Sequence, residues 1–156
     1  MANKKFLAGI LVMGLVFGMT VIACSSDSGG GEADPALNGT WVTSSDGFTF
    51  TNGEFLYRNG GYQCWKGSYT TSGSSITLSI TGIFGGHPDF KRAGLTAIWY
   101  SRNDFKKSYP NTTDKELNDI FQTISGTYTI NGTGKGSKLN INWKSGLKGT
   151  DTFTKQ

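Results

Sequence analysis

Few side chains in this sequence have the types and spacing that catalysis or metal binding requires. The chain contains one histidine, His87, and two cysteines, Cys24 and Cys64. A metal site needs three or four donors, and the sequence offers neither a second histidine nor a free cysteine pair to complete one. No base accompanies Cys64, so we interpret it as a small buried hydrophobe. We therefore predict a protein that is not an enzyme, with no catalytic residue, no metal and no cofactor.

Cys24 has a more specific context. It ends the tetrapeptide Val21-Ile22-Ala23-Cys24, which closes an apolar run over 6–23 that two lysines precede. This arrangement resembles the lipobox of bacterial lipoproteins, in which signal peptidase cuts before the cysteine and the cysteine carries the lipid. The resemblance implies a signal peptide at 1–23, lipidation of Cys24 and anchoring to a membrane of the cell envelope, on its periplasmic or outer surface. An uncleaved transmembrane helix is the alternative, because about 18 apolar residues can span a bilayer.

The segment after this cysteine predicts a flexible tether over 24–36. Its sequence, SSDSGGGEADPA after Cys24, has low hydrophobicity and a Gly/Ser centre that cannot recover the entropy cost of folding. The remaining residues, 37–156, are enough for one domain with a core of its own. The formal net charge is +4, and two units of it come from the lysines near the N-terminus. The remaining net charge of +2 is so near neutral that it argues against a nucleic-acid partner.

From residue 37 onward the pattern predicts short strands. Runs rich in Thr, Ile, Val and aromatic residues alternate with polar ones and are separated by turn residues such as Asn52-Gly53, which tolerate positive φ. Eight strands are predicted, over 40–44, 48–51, 54–58, 62–71, 75–81, 127–130, 138–143 and 150–154. The sequence Gly-x-Tyr-Thr occurs at both 67–70 and 126–129, which indicates hairpins of one type.

The regularity breaks over 82–125, which we interpret as an insertion. Residues 95–100 form either a short strand or the wall of a lid. A helix is predicted over about 113–125, because Thr113 and Glu116 have the spacing of a capping box. Apolar residues follow at helical spacing, with Gly126 as the terminator; they are Leu117, Ile120, Phe121 and Ile124.

Eight short antiparallel strands must hide their edges, and closure into a barrel does so completely. The short sequential turns favour an up-and-down barrel over a sandwich, which needs long crossovers. Gly39-Thr40-Trp41 resembles the Gly-x-Trp signature of lipocalins, in which the tryptophan plugs the closed end of the barrel. Residues 37–156 as a whole resemble the small lipocalin-like lipoproteins of spirochaete envelopes, with Lys148 and Lys155 on the last strand where lipocalins place an arginine over the tryptophan. The predicted fold is thus all-β, an eight-stranded antiparallel lipocalin-like barrel with one inserted amphipathic helix.

The strands supply many aromatic residues, and two interpretations of them stay open. They line an apolar ligand pocket, or they simply fill the core, because an eight-stranded barrel is just wide enough for either. The candidate barrel-lining residues are Trp41, Phe48, Phe50, Phe55, Tyr57, Trp65, Tyr69, Tyr128 and Trp143.

The insertion supplies a second candidate surface, because loops on a rigid scaffold often carry specificity. Its large side chains are interspersed with basic ones, and they either form a lid on the barrel or contact a partner; they are Trp99, Tyr100, Arg102, Phe105 and Tyr109. The leading hypothesis is a lipid-anchored envelope protein that binds or carries a small, apolar molecule. The alternative is a solid-core interaction module that uses the insertion over 82–125 to bind an envelope or host protein.

Overall fold

The computed structural model describes residues 32–156 as a closed eight-stranded antiparallel β-barrel with one additional strand. The strands are β1 (Gly39–Val42), β2 (Gly47–Thr51), β3 (Glu54–Asn59), β4 (Tyr62–Ser72), β5 (Ser75–Phe84), β6 (Trp99–Ser101), β7 (Thr123–Asn131), β8 (Lys138–Ser145) and β9 (Gly149–Lys155). Barrel strands pair in chain order, and β9 pairs with β1 to close the sheet. The exception is β6, which pairs only with the last residues of β5, beyond those that pair with β7. The predicted all-β, up-and-down barrel is confirmed.

Turn chemistry and alternation explain why these residues form this sheet. Asn52 and Gly53, which join β2 to β3, have φ values of 47° and 86°, and this double positive φ suits the tight turn of a twisted hairpin. Along β5, Ile76, Leu78 and Ile80 are buried and alternate with more exposed polar residues. One face of each strand therefore enters the barrel and the other faces outward.

The repeated Gly-x-Tyr-Thr sequence marks two irregularities of the barrel wall. The register of β4 against β5 shifts between Lys66 and Gly67, and that of β7 against β8 shifts between Ser125 and Gly126. A side chain at Gly67 would overlap the carbonyl oxygen of Ser79, and one at Gly126 would lie 2.7 Å from the carbonyl oxygen of Asn142. Both glycines thus permit a close backbone approach at a bulge, where the sheet bends to close.

Replacing Gly67 by alanine should therefore destabilise the barrel. The new methyl group must displace the backbone of β5 near Ser79, and overpacking of this kind costs about 1–3 kcal/mol of unfolding free energy. Urea unfolding followed by tryptophan fluorescence measures this loss. Gly47→Ala is the matched control, because its methyl group would meet its nearest atoms at 3.1 Å, which calls for only a small adjustment. Equal losses in the two variants would contradict the proposed role of the bulge.

The strand directions place the loops at two distinct ends of the barrel. We call the first the tether end; it holds residues 32–38, the turns at 52–53 and 73–74, and the loop over 132–137. The second is the insertion end, with the loop over 43–46, the turn at 60–61, the insertion and the turn over 146–148. The candidate site lies at the insertion end.

The insertion over 85–122 contains β6 and three short helices, α1 (Pro88–Arg92), α2 (Arg102–Ser108) and α3 (Asp114–Ile120). The predicted capping box is confirmed: Thr113 Oγ1 accepts from the Glu116 amide at 3.2 Å, and Glu116 Oε2 accepts from the Thr113 amide at 2.7 Å. The predicted helix end is wrong, because α3 stops at Ile120 and Ile124 lies buried in β7, opposite Leu78. The β-branched run of β7 gains a neighbouring strand there, which outweighs its helical spacing. The sequence pattern also missed α1 and α2.

The first residues that the structure describes already contact the barrel, although the sequence assigns them to the tether. The Thr71 amide donates to the Glu32 carbonyl oxygen at 3.0 Å, and the Tyr128 hydroxyl donates to Asp34 Oδ2 at 2.7 Å. A short 3₁₀ helix, Pro35–Leu37, then leads into β1. The predicted signal peptide, the lipidation site Cys24 and the start of the tether lie outside the described residues.

Within residues 32–156, no helix has the length and hydrophobicity needed to cross a membrane.

Candidate functional site

Trp41 closes the tether end of the barrel. Its side chain is fully buried, and its indole N–H donates to the Leu37 carbonyl oxygen at 2.6 Å. On the other side, Lys155 Nζ lies 5.0 Å from the centre of the indole ring, a cation–π contact. Lys155 at the end of β9 thus covers Trp41, whereas Lys148, which the sequence analysis placed on the last strand, lies in the turn before β9. Trp41 therefore plugs this end of the barrel.

Phe48 fills the middle of the barrel. Its ring centre lies between 4.7 and 6.2 Å from the centres of five other rings, which are Phe50, Phe55, Tyr57, Trp143 and Phe153. These separations are those of directly packed aromatic pairs. The residues that surround Phe48 therefore act mainly as core.

The candidate barrel-lining residues all contribute to or pack against one hydrophobic core, but they divide by exposure. Seven are buried, namely Trp41, Phe48, Phe50, Phe55, Tyr69, Tyr128 and Trp143. Tyr69 and Tyr128 belong to the tether end: Tyr69 packs on Phe50 at 4.9 Å, and Tyr128 is bonded to Asp34. Only Tyr57 and Trp65 are half-buried.

Tyr57 and Trp65 lie near the insertion end, on the neighbouring strands β3 and β4. Their rings stack with centres 5.0 Å apart and an angle of 26° between planes. Phe48 connects them to the opposite wall, because it contacts both Tyr57 at 4.7 Å and Trp143 at 6.0 Å. The rings of Tyr57, Trp65 and Trp143 therefore surround the interior of the barrel between its filled centre and the insertion end.

Asp151 on β9 completes this arrangement. Its Oδ2 accepts the indole N–H of Trp143 at 2.6 Å. Asp151 is paired with the fully buried Ile141, and directly paired residues on neighbouring strands share a face. The residue thus faces inward and is nevertheless exposed, so the barrel opens to solvent beside β9. We call Tyr57, Trp65, Trp143 and Asp151 the mouth.

The electrostatics of the mouth favour a molecule that is mostly apolar. Burial, opposed by a hydrogen bond with Asn59 and assisted by the nearby carboxylates of Asp46 and Asp151, raises the pKa of Tyr57 to about 12. The phenol therefore stays neutral at physiological pH. The mouth presents ring faces and one carboxylate, which suits an apolar or aromatic molecule with at most a neutral or cationic polar group.

Sequence reasoning missed Asp151, although a signal was present. Asp151 stands two residues before Phe153, so the period of two that places Phe153 in the core places Asp151 on the same face. A carboxylate on the inner face of a barrel strand is costly unless it is hydrogen-bonded or near solvent. The position of Asp151 in the sequence therefore indicated that the barrel is open to solvent near this residue.

The candidate lid residues do not act as one cluster. Tyr100 and Phe105 are buried with ring centres 6.3 Å apart, and Tyr109 packs on Phe105 at 4.9 Å. Trp99 lies instead on the outer wall, against Phe84 at 5.3 Å and beneath Lys66 Nζ at 4.9 Å. Arg102 donates to Asn118 Oδ1 at 2.8 Å within the insertion. Only the first three belong to the core under the insertion.

His87 and Cys64 occupy structural positions. His87 is the N-cap of α1, where Nδ1 accepts the Asp89 amide at 3.4 Å, and its ring packs near Tyr62 and Phe90. Burial raises the pKa of Cys64 to about 12, with smaller contributions from the Asp89 and Asp46 carboxylates, so this thiol is protonated at neutral pH. Among the residues that the structure describes, no group of three or more His, Cys, Asp or Glu is placed to hold a metal ion.

The described residues form a closed up-and-down β-barrel with a plugged end and an open aromatic mouth at the other. In comparisons with known proteins, no family model, no curated protein and no solved structure matches the chain.

Proposed function

We propose that this chain is a lipid-anchored lipoprotein of the cell envelope whose lipocalin-like barrel binds a small, mainly apolar molecule at its mouth. The observation that supports this proposal is the stacked pair of Tyr57 and Trp65, which is half-buried at the insertion end, where the inward-facing Asp151 of β9 is also exposed. Side chains that only filled the core would be covered, as Phe48 is. The lipobox at Val21-Ile22-Ala23-Cys24 supports the anchor.

This proposal fixes the orientation of the barrel on the membrane. Only residues 25–31 separate Cys24 from the docked Glu32. At roughly 3.3–3.6 Å per residue, seven residues reach about 25 Å at most. The tether end therefore stays close to the lipid surface, and the mouth and the insertion point away from it. A ligand then enters from the aqueous side.

The depth of the mouth sets the affinity. The centre of the barrel is filled below it, so only part of a ligand is buried. Each buried methylene contributes about 0.8 kcal/mol, and the loss of translational and rotational freedom opposes association. We expect a dissociation constant in the micromolar range, which corresponds to about 8 kcal/mol.

Trp65→Ala should weaken the binding of a neutral apolar dye such as N-phenyl-1-naphthylamine by about fivefold or more, because one stacking face of the mouth is lost. Dye fluorescence is titrated with residues 24–156 carrying serine at position 24, so that no lipid or detergent competes for the dye. Trp99→Ala is the matched control, since Trp99 is also half-buried but lies on the outer wall. Equal affinity in the two variants would argue against the mouth as the site.

A second candidate function, a protein-binding module, is favoured by two exposed hydrophobic side chains. Ile98, just before β6, is 55% exposed, and Tyr62 at the start of β4 is 54% exposed. If the surface around Ile98 binds an envelope or host protein, Ile98→Asp should abolish capture of that protein while dye binding at the mouth is unchanged. Retained capture by this variant would reject the second candidate.

A further inference from the structure

A groove of about 750 Å³ lies on the outer wall of the barrel, over β1, β2 and β3 and toward the insertion end. Its volume is within the range of about 300–1,000 Å³ that is usual for small-molecule sites. The lining differs from that of the mouth, because it is rich in hydroxyl groups and includes Ser44, Ser45, Asp46 and Arg58 but no aromatic residue. It is therefore a separate surface with a different chemistry.

The groove is held in shape by its own hydrogen bonds. Thr43 Oγ1 accepts the amides of Ser45 at 3.2 Å and Asp46 at 2.9 Å, which fixes the loop between β1 and β2. Asn59 Nδ2 then donates to Asp46 Oδ1 at 3.0 Å and ties this loop to the end of β3. Its polar groups are thus positioned before any ligand arrives, which lowers the entropy cost of binding.

Arg58 is the unusual residue of the groove. The other two arginines have partners, since Arg92 contacts Asp89 at 3.5 Å and Arg102 donates to Asn118 at 2.8 Å. No hydrogen bond or ion pair engages the Arg58 side chain anywhere in residues 32–156. Its neighbour in the register, Gly47, has no side chain to cover it. Five donor N–H groups are therefore available over the groove.

We propose that this groove binds an acidic saccharide, a sugar or short glycan that carries a carboxylate. A guanidinium matches a carboxylate through two parallel hydrogen bonds. The Ser44 and Ser45 hydroxyls suit sugar hydroxyl groups as donors or acceptors, and the second carboxylate oxygen of Asp46 accepts from a sugar hydroxyl. This site on the outer wall goes beyond the function of the mouth and does not depend on it.

The charge of the groove favours a carboxylated sugar over a phosphorylated one. Arg58 is the cation among the groove residues, and Asp46 supplies an opposing negative charge. A phosphate monoester concentrates two negative charges on one group, which Asp46 repels and a single cation opposes, whereas each carboxylate of a uronate sugar carries one charge that Arg58 neutralises. The hydroxyl-rich lining then serves the rest of the sugar.

The test is a titration of the isotope-labelled full chain, in a detergent without a sugar headgroup, with digalacturonate as the probe. Amide chemical shifts should change at 43–47 and 58–61. Arg58→Gln should weaken binding about tenfold or more, since a charged hydrogen-bonding partner is lost. Arg92→Gln removes the same charge from α1 and should leave binding unchanged. The neutral dimethyl ester should bind as weakly as digalacturonate binds to Arg58→Gln.

Three results would overturn the proposal. One is equal affinity of the Arg58→Gln protein and the parent chain for digalacturonate. The second is equal binding of the dimethyl ester, which would show that the carboxylate is not recognised. The third is an equal response to acetate, which would reduce the site to a carboxylate contact without sugar recognition. A correctly folded Arg58→Gln protein is verified from the unchanged amide signals of β5 and β8, far from the groove.

Discussion

Replacing Cys24 with serine should move the protein from the membrane fraction to the soluble fraction almost completely. A hydroxyl group in place of the thiol cannot accept the diacylglycerol that the lipobox resemblance implies, and stable anchoring needs more than one acyl chain. No helix within residues 32–156 offers a replacement anchor. Fractionation after a carbonate wash, with mass spectrometry of the intact protein, measures the result.

Cys64→Ser is the control for this experiment, because it removes the other cysteine, which is buried in the barrel wall. That variant should keep both the acyl mass and its place in the membrane. A Cys24→Ser protein that stays in the membrane after the wash would instead indicate that residues 6–23 remain attached as a transmembrane helix.

Phe48→Ala should lower the free energy of unfolding by about 3–5 kcal/mol, which is the usual loss when a buried phenylalanine is truncated. The Phe48 side chain is 1% exposed and contacts five rings, so the substitution leaves a cavity that these rings can close only in part. Urea unfolding monitored by far-UV circular dichroism gives this value.

The matched control is Phe84→Ala, the same chemical change at a half-buried site on the outer wall, where we expect less than half of the loss. The comparison distinguishes a solid barrel from a hollow one. If Phe48→Ala cost no more than Phe84→Ala, the interior around Phe48 would be loosely packed, and a deep ligand cavity would replace the shallow mouth.

The barrel was predictable from the sequence because its signals are local. Turn residues such as Asn52-Gly53 and the alternation of Ile76, Leu78 and Ile80 each report on a single hairpin or strand, and eight such strands leave few alternatives to closure. The capping box at Thr113 and Glu116 is equally local. Its helix, however, ends at a point that depends on the pairing of Ile124 with Leu78, which no local pattern contains.

The candidate site was only partly predictable for the same reason. Aromatic residues on strands indicated the interior, but which of them fill it depends on side-chain packing. Phe48 and Tyr57 are directly paired on the neighbouring strands β2 and β3, yet Phe48 is buried and Tyr57 is only half-buried. The docking of Glu32 and Asp34 on Thr71 and Tyr128 joins segments far apart in the chain. Such contacts follow from the closed barrel and cannot be derived before it.

The central claim is that a small apolar molecule binds at the mouth opposite the tether. Intermolecular nuclear Overhauser effects between N-phenyl-1-naphthylamine and the protein test it most directly, because they report contacts between named protons. We predict effects to the ring protons of Tyr57, Trp65 and Trp143. Effects confined to Ile98 and Trp99 on the outer side of the insertion, or none at a dye concentration that saturates fluorescence, would contradict this account.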